Sequence, residues 1–216
     1  MKMSGKFITF EGGEGVGKST QVQLLANELR RRGFKVQITR EPGGDEVGEK
    51  IRTVLKSASS KMDPLCETFL LFAARRDHFV NVIAPLLELG YFVICDRFYD
   101  STLVYQGLLK HVSIEDIMKL KQICVGNFEP DLTIVLDMDV ESAINRVATR
   151  NFVLDDPVLD EYDAMDKEKY NVIREGFHKI ADIFSFRTEM VKANGSKEAV
   201  FERIFKKIEN RLLKNS

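Results

Sequence analysis

The stretch Gly12-Gly13-Glu14-Gly15-Val16-Gly17-Lys18-Ser19-Thr20 decides the fold of this chain. It fits the pattern G-x-x-x-x-G-K-[ST], and its flanks have the order that the pattern requires. The apolar run Phe7-Ile8-Thr9-Phe10 precedes it, and a helical stretch from Ser19 to about Arg32 follows. Glycines let successive backbone N–H groups turn inward around phosphate oxygens, and a helix N-terminus adds favourable partial charge. Lys18 has the reach for β- and γ-phosphates, and the Ser19 hydroxyl suits Mg²⁺. A glycine turn that merely joined strand to helix would need neither group. The segment is therefore read as a P-loop in which Gly12 to Thr20 cradle a nucleoside triphosphate.

Outward from this loop, short β-rich runs alternate with longer helical patterns. Strands are expected at Lys6–Glu11, Phe34–Thr39, Tyr91–Asp96, Asp131–Asp137 and Glu189–Ala193. The first four contain nearly continuous apolar runs, as buried parallel strands do. Helices are expected at Thr20–Arg32, closed by Gly33, and at Cys66–Leu89, as two helices or as one bent at Pro85. Further helices are expected at Ile114–Val125, Val140–Arg150, Lys167–Phe186 and Lys197–Leu213. This order predicts an α/β protein of the P-loop NTPase fold, with a parallel five-stranded sheet covered by helices on both faces. No repeat, low-complexity tract or linker divides residues 1–216, so one domain is expected.

An apolar share of 44% and a charged share of 30% suit an ordinary folded chain with a substantial core. The net charge of -1 provides no global attraction to nucleic acid or an anionic membrane, so neither is an expected partner. Any anionic substrate must be held by local arginines. Cys66, Cys95 and Cys124 form no Cys-x-x-Cys or Cys/His cluster, which argues against a disulfide framework or zinc site. The N-terminal apolar run is too short for a secretory signal, and no run approaches a membrane span. A cytoplasmic location is expected.

Ligand chemistry in such sheets gathers at the carboxyl ends of strands. Arg40-Glu41-Pro42-Gly43-Gly44 follows the second strand, and Asp96-Arg97-Phe98-Tyr99-Asp100-Ser101-Thr102 follows the third. Asp96 stands where a metal-holding carboxylate stands, beside Ser19, although Asp137 has the same look. Arg97 favours Asp96, because a guanidinium beside the metal suits a second substrate's phosphate. Phe72 and Arg76 share one helix face and could stack on a base and donate to its edge. The competing possibility is a core phenylalanine and a solvated arginine. Arg146 and Arg150 precede an acidic, irregular stretch, Asn151–Asp166, that is either a lid or a surface excursion. His78, His111 and His178 have no nucleophile signature around them and are read as surface or hydrogen-bonded residues.

With these residues assembled, the chain resembles the thymidylate kinase family of nucleoside monophosphate kinases. The most specific segments are T-R-E-P-G-G (Thr39–Gly44), L-L-F-A-A-R-R (Leu70–Arg76) and D-R-F-Y-D-S-T-x-x-Y-Q-G (Asp96–Gly107). The resemblance implies that Phe72 stacks on thymine, that Arg76 donates to its O4, and that Arg97 and Arg52 grip the dTMP phosphate. Glu41 would lie near the acceptor end. Ser101, Thr102 and Gln106 would read the base edge, Tyr105 would pack beneath the deoxyribose, and Glu14 would approach the sugar 3′-hydroxyl. A homodimer, ATP as donor and Mg²⁺ on Ser19 and Asp96 are implied as well. The implied reaction is in-line transfer to dTMP, for dTTP synthesis, with Lys18, Arg97 and lid arginines neutralising charge. The chain departs from the pattern at the lid. The P-loop has no arginine, yet Asn151–Asp166 contains no Lys or Arg, so Arg146 and Arg150 are the candidates for the missing charge.

Two other readings are weighed. An adenylate-kinase-like enzyme would carry an Asp-Gly-Phe-Pro-Arg stretch, which is absent. A GTPase switch would use Asp45-Glu46-Val47-Gly48 as D-x-x-G, but no N-K-x-D guanine reader exists in the chain.

Overall fold

In the computed structural model, which describes residues 4–58, 62–154 and 165–214, the strands form one parallel sheet. They are β1 (Lys6–Glu11), β2 (Val36–Arg40), β3 (Phe92–Asp96), β4 (Leu132–Asp137) and β5 (Thr188–Lys192), in the spatial order β2-β3-β1-β4-β5. All four pairings are parallel, with Phe10 opposite Asp96 and Ile134. The chain order reverses beside β1, so β1 and β3 flank the switch point where ligands enter such sheets.

Side chains alternate across the sheet, and both faces are buried. Ile8, Phe10, Ile94, Ile134 and Leu136 point to one layer; Phe7, Val93, Cys95 and Val135 point to the other. The first layer is closed by α1 (Lys18–Arg31) and α9 (Lys197–Ile208). The second is closed by α3 (Pro64–His78), α4 (Ala84–Glu88), α6 (Ile114–Val125) and α8 (Lys167–Ile183). In α1, Val22, Leu25 and Leu29 recur at helical spacing and are buried, as the sequence predicts. Full burial of each stabilises by about 1.5–3 kcal/mol, against ~1 kcal/mol for a cap, so packing rather than capping fixes these helices. Caps still set their starts: Asp63 accepts from Leu65 N and Cys66 N ahead of α3, and Asp166 accepts from Lys169 N ahead of α8.

The structure differs from expectation in local ways. A helix over Glu46–Ala58, α2, was not anticipated, and neither was the helical segment after β3, composed of α5 (Tyr99–Thr102) and a π-helical stretch Leu103–Leu109. The break in Cys66–Leu89 precedes Pro85: residues Phe79–Ile83 are π-helical, and Ala84 N donates to Phe79 O. Pro85 has no N–H to continue the ladder, so the wider turn just before it absorbs the mismatch. The remaining helix, α7 (Val140–Leu154), runs past Arg150 into the expected lid. The side chain of Arg150 and the lid residues 155–164 lie outside the described residues.

Candidate active site

A cleft of about 560 Å³ opens at the carboxyl ends of β1, β2 and β3. That size accommodates small-molecule ligands. It is lined from one side by Glu14, Gly15, Gly17, Lys18, Ser19 and Thr20, and from the other by Arg40, Glu41, Arg52, Glu67, Leu71 and Arg75. Asp96, Arg97, Ser101, Thr102, Tyr105 and Gln106 form its floor, and Arg146 reaches it from α7.

The P-loop has the conformation its glycines permit. Gly12, Gly15 and Gly17 have φ of 129°, 75° and 95°. A Cβ on Gly12 would stand 2.6 Å from Leu136 O, and one on Gly15 would stand 2.4 Å from Ala143 O, so only glycine fits. Val16 is 5% exposed and belongs to the core, so of its loop position only the backbone serves the cleft. Lys18 Nζ donates to Gly12 O at 3.0 Å and Gly13 O at 2.7 Å. Burial, and then the charge of Arg97, pull the ammonium below its usual range, which makes a phosphate partner more favourable for it.

Ser19 Oγ donates to Asp96 Oδ2 at 2.9 Å. A hydroxyl and a carboxylate side by side at a P-loop are hard oxygen donors of the kind that suits Mg²⁺. The rival carboxylate, Asp137, is occupied elsewhere: Arg174 Nε donates to it at 2.7 Å and His178 lies 3.0 Å away, and Arg174 first and His178 after it hold it below the usual carboxylate range. The D-x-x-G segment is a helix start, with Gly48 N donating to Asp45 Oδ1 at the head of α2.

Arg97 is the hub of the floor. Its guanidinium donates to Gly12 O at 3.1 Å, Ser101 Oγ at 2.9 Å, Glu14 Oε1 at 2.5 Å and Tyr105 Oη at 3.1 Å. Its own backbone has φ 71°, a left-handed turn between β3 and α5. Burial opposes its charge, but Glu14 and the neighbouring Tyr105, Asp96 and Glu11 outweigh burial and keep it charged. Beneath it, Glu11 is 0% exposed and accepts from Phe98 N at 2.7 Å and Ser101 Oγ at 2.6 Å. Burial, and then the charge of Asp100, push the Glu11 carboxyl up to about 8. Asp100 itself faces inward, paired with the 2% exposed Arg187 through bonds of 2.7 Å, and anchors α5 to the core.

The face of α3 that meets the cleft lies one residue before the expected pair. Phe72 is 1% exposed and packs in the second core layer, and Arg76 donates to Cys124 O at 2.8 Å; neither lines the cleft. Glu67, Leu71 and Arg75, spaced by four on α3, line it instead. Arg75 is 2% exposed; its Nε donates to Glu41 Oε2 at 2.6 Å and its second nitrogen to Thr102 Oγ1 at 3.1 Å. Its remaining nitrogen, Nη1, is buried with no hydrogen-bond partner among the described residues. Periodicity had found the spacing but could not tell the Phe72 and Arg76 pair from the pair one residue before it. The hydroxyls of Ser101 and Thr102 line the cleft but are engaged in orienting Arg97 and Arg75. Gln106 Nε2 lies 3.3 Å from Glu67 Oε1, and Arg52 donates to Pro42 O at 3.0 Å. Glu11, Glu67, Leu71 and Arg75 are the site residues that sequence reasoning missed.

The family model described as thymidylate kinase matches residues 10–204. The chain is 42% identical to a thymidylate kinase of Caldicellulosiruptor saccharolyticus, over 98% of this chain and 100% of that one. It is 40% identical to one of Bacillus licheniformis, over 99% of each. The crystal structure of a thymidylate kinase from Ehrlichia chaffeensis superposes with a TM-score of 0.75 at 32% identity, covering 95% of this chain and 98% of that one. A family match over residues 10–204 and relatives of this identity and coverage show that the chain belongs to the thymidylate kinase family.

Proposed function

We propose that the chain transfers the γ-phosphoryl group of ATP to the 5′-phosphate of dTMP, giving ADP and dTDP, one phosphorylation short of dTTP. The observation that carries this is that one cleft is lined both by Lys18 and the P-loop and by Arg97 and Arg52, cations enough for two phosphate-bearing ligands. A phosphate oxygen of dTMP attacks the γ-phosphorus in line; the new P–O bond forms as the bond to the β-phosphate oxygen breaks, and the electron pair leaves on ADP. The acceptor is already an anion near neutral pH, so positioning and charge neutralisation carry the catalysis.

Lys18 holds the donor phosphates, and Arg97 and Arg52 hold the acceptor phosphate. Arg75 donates to the base edge, with Leu71 beneath the ring in place of the expected aromatic stack. Glu14 and Tyr105, joined at 3.2 Å, face the sugar. Glu41 acts indirectly, by holding Arg75. Ser19 and Asp96 would hold Mg²⁺, which when bound neutralises phosphate charge. Arg146 supplies the cation that the P-loop lacks: its guanidinium lies 3.9 Å from where a Cβ on Gly17 would stand. Arg150, whose side chain lies outside the described residues, stays a candidate for the same charge, within a single domain that acts in the cytoplasm as a homodimer. Among the described residues no helix is long and apolar enough to cross a membrane.

The test is a coupled assay with dTMP, dUMP, AMP, dGMP and thymidine as acceptors, run on the wild type and Lys18→Ala. Turnover of dTMP above the purine nucleotides and the nucleoside, lost in Lys18→Ala, is expected. Preference for a purine acceptor, or near-normal activity of the lysine variant, would overturn the assignment.

A further inference from the structure

Behind Arg75 lies a buried chain of polar groups that the transfer itself does not touch. Thr39 Oγ1, near the end of β2, lies 2.6 Å from His78 Nε2, and His78 Nδ1 lies 3.0 Å from Glu41 Oε1. The other Glu41 oxygen accepts from Arg75 Nε at 2.6 Å, and Arg75 reaches Thr102 at 3.1 Å. His78 is 0% exposed and Glu41 is 5% exposed, so water does not compete for these bonds. A carboxylate can only accept, so the imidazole proton sits on Nδ1, facing Glu41. Nε2 is left to the Thr39 hydroxyl, which can either donate or accept. The ring is held at both nitrogens.

The loop that carries Glu41 also rests on this ring. A Cβ on Gly44 would stand 2.5 Å from His78 Nε2 and 2.4 Å from Thr39 Oγ1. The backbone at Gly44, with φ of 92°, is therefore pressed onto the imidazole with no room for a side chain. The same place offers three possible metal donors, Glu41, His78 and Cys95, within 4.8 Å of one another. A cation there would have to displace Arg75 from Glu41, and burial pushes the Cys95 thiol well up, away from the thiolate a metal needs. Hydrogen bonding accounts for the cluster better than a metal does.

We propose that His78 is a positioning residue for the acceptor half of the cleft. It fixes Glu41, and through Glu41 it presets the guanidinium of Arg75 at the wall of the cleft. A long arginine side chain held in its bound geometry beforehand loses less freedom when the ligand arrives. This rests on the assignment of Arg75 to the acceptor base, and the test keeps the two apart.

Steady-state kinetics and thermal melts are measured for Arg75→Leu, His78→Phe, Thr39→Val and the double variant His78→Phe with Arg75→Leu. Loss of one buried hydrogen bond in the relay should raise the KM for dTMP by about three- to tenfold in His78→Phe and in Thr39→Val. The KM for ATP and kcat should stay within about twofold. In the Arg75→Leu background, His78→Phe should add no further rise, because two residues acting on one contact are not additive. An unchanged dTMP KM in Arg75→Leu overturns the base assignment and this proposal with it. A raised KM in Arg75→Leu but an unchanged one in His78→Phe overturns the positioning role alone, as do additive effects or a parallel fall in kcat and both affinities. If His78→Phe does not fold, Thr39→Val decides: an unchanged dTMP KM there overturns the proposal.

Discussion

Ser19 Oγ donates to Asp96 Oδ2 at 2.9 Å, joining the first turn of α1 to the end of β3 across 77 positions of sequence. Two hard oxygen donors are thereby brought together at the mouth of the P-loop. Asp96→Asn should raise the Mg²⁺ concentration for half-maximal activity by roughly tenfold or more, equal to about 1.4 kcal/mol of lost binding. A magnesium titration of kcat in the two proteins checks this, and an unchanged midpoint would exclude Asp96 as a ligand. Chelation of the metal should abolish turnover of the wild type.

Arg75 and Arg76 are neighbours in sequence with opposite surroundings. One ends in the cleft; the other donates to Cys124 O on α6. Arg75→Leu removes charged hydrogen bonds of about 1.5–3 kcal/mol, so the KM for dTMP should rise roughly 10- to 100-fold. Arg76→Leu should leave that KM within about twofold while lowering stability by about 1 kcal/mol. Kinetics and urea melts on the pair distinguish the two registers, and the reverse pattern would restore the Phe72 and Arg76 pair as the base readers.

Arg146 lies on the cleft wall beside Gly17. Removing a preorganised charge of this kind typically slows a transfer step by about 10²-fold or more. Arg146→Ala should therefore lower kcat to that extent with little change in either KM. For Arg150→Ala, a kcat within about twofold, below ~0.5 kcal/mol of transition-state stabilisation, would remove Arg150 from the mechanism. Single-turnover measurements separate the chemical step from product release in both.

Glu11 carries a proton in the folded state at pH values where the unfolded chain has lost it, because burial and Asp100 push its carboxyl up from 4.5 to about 8. Its contribution to stability is complete below about pH 4.5 and is lost as pH rises toward 8. Glu11→Gln lacks this titration. Denaturant melts from pH 5 to 8 should show the wild type losing stability relative to Glu11→Gln as pH rises. A constant difference between the two across that window would contradict the raised value.

The parts of the site made by residues close in sequence were legible without a structure. The P-loop cages Lys18 with carbonyls only five and six positions away, and glycine and lysine at that spacing have few other uses. The strands were legible because both faces of the sheet are buried and their runs are nearly all apolar. Helix α2 was less so: Val47, Ile51, Val54 and Leu55 do recur at helical spacing, but Gly48 interrupts the segment, and the stripe is only partly buried, with Val47 and Val54 44% and 47% exposed. The π-helical turns were not legible, since packing rather than propensity selects them.

By itself the sequence determined the α/β class, the triphosphate loop, the two motif-bearing loops that follow β2 and β3, and the family they imply. The class and the loops depend on periodicity and short spacing, which the chain carries locally, and the family on the resemblance of its motifs. Tertiary structure alone decided which carboxylate meets Ser19, which arginine of the adjacent pair enters the cleft, and what stands behind it. Successive helical residues point about 100° apart, so a register error of one residue is invisible until the helix is docked. The contacts that settle these questions join residues 77, 34 and 37 positions apart, where no local pattern reports on proximity.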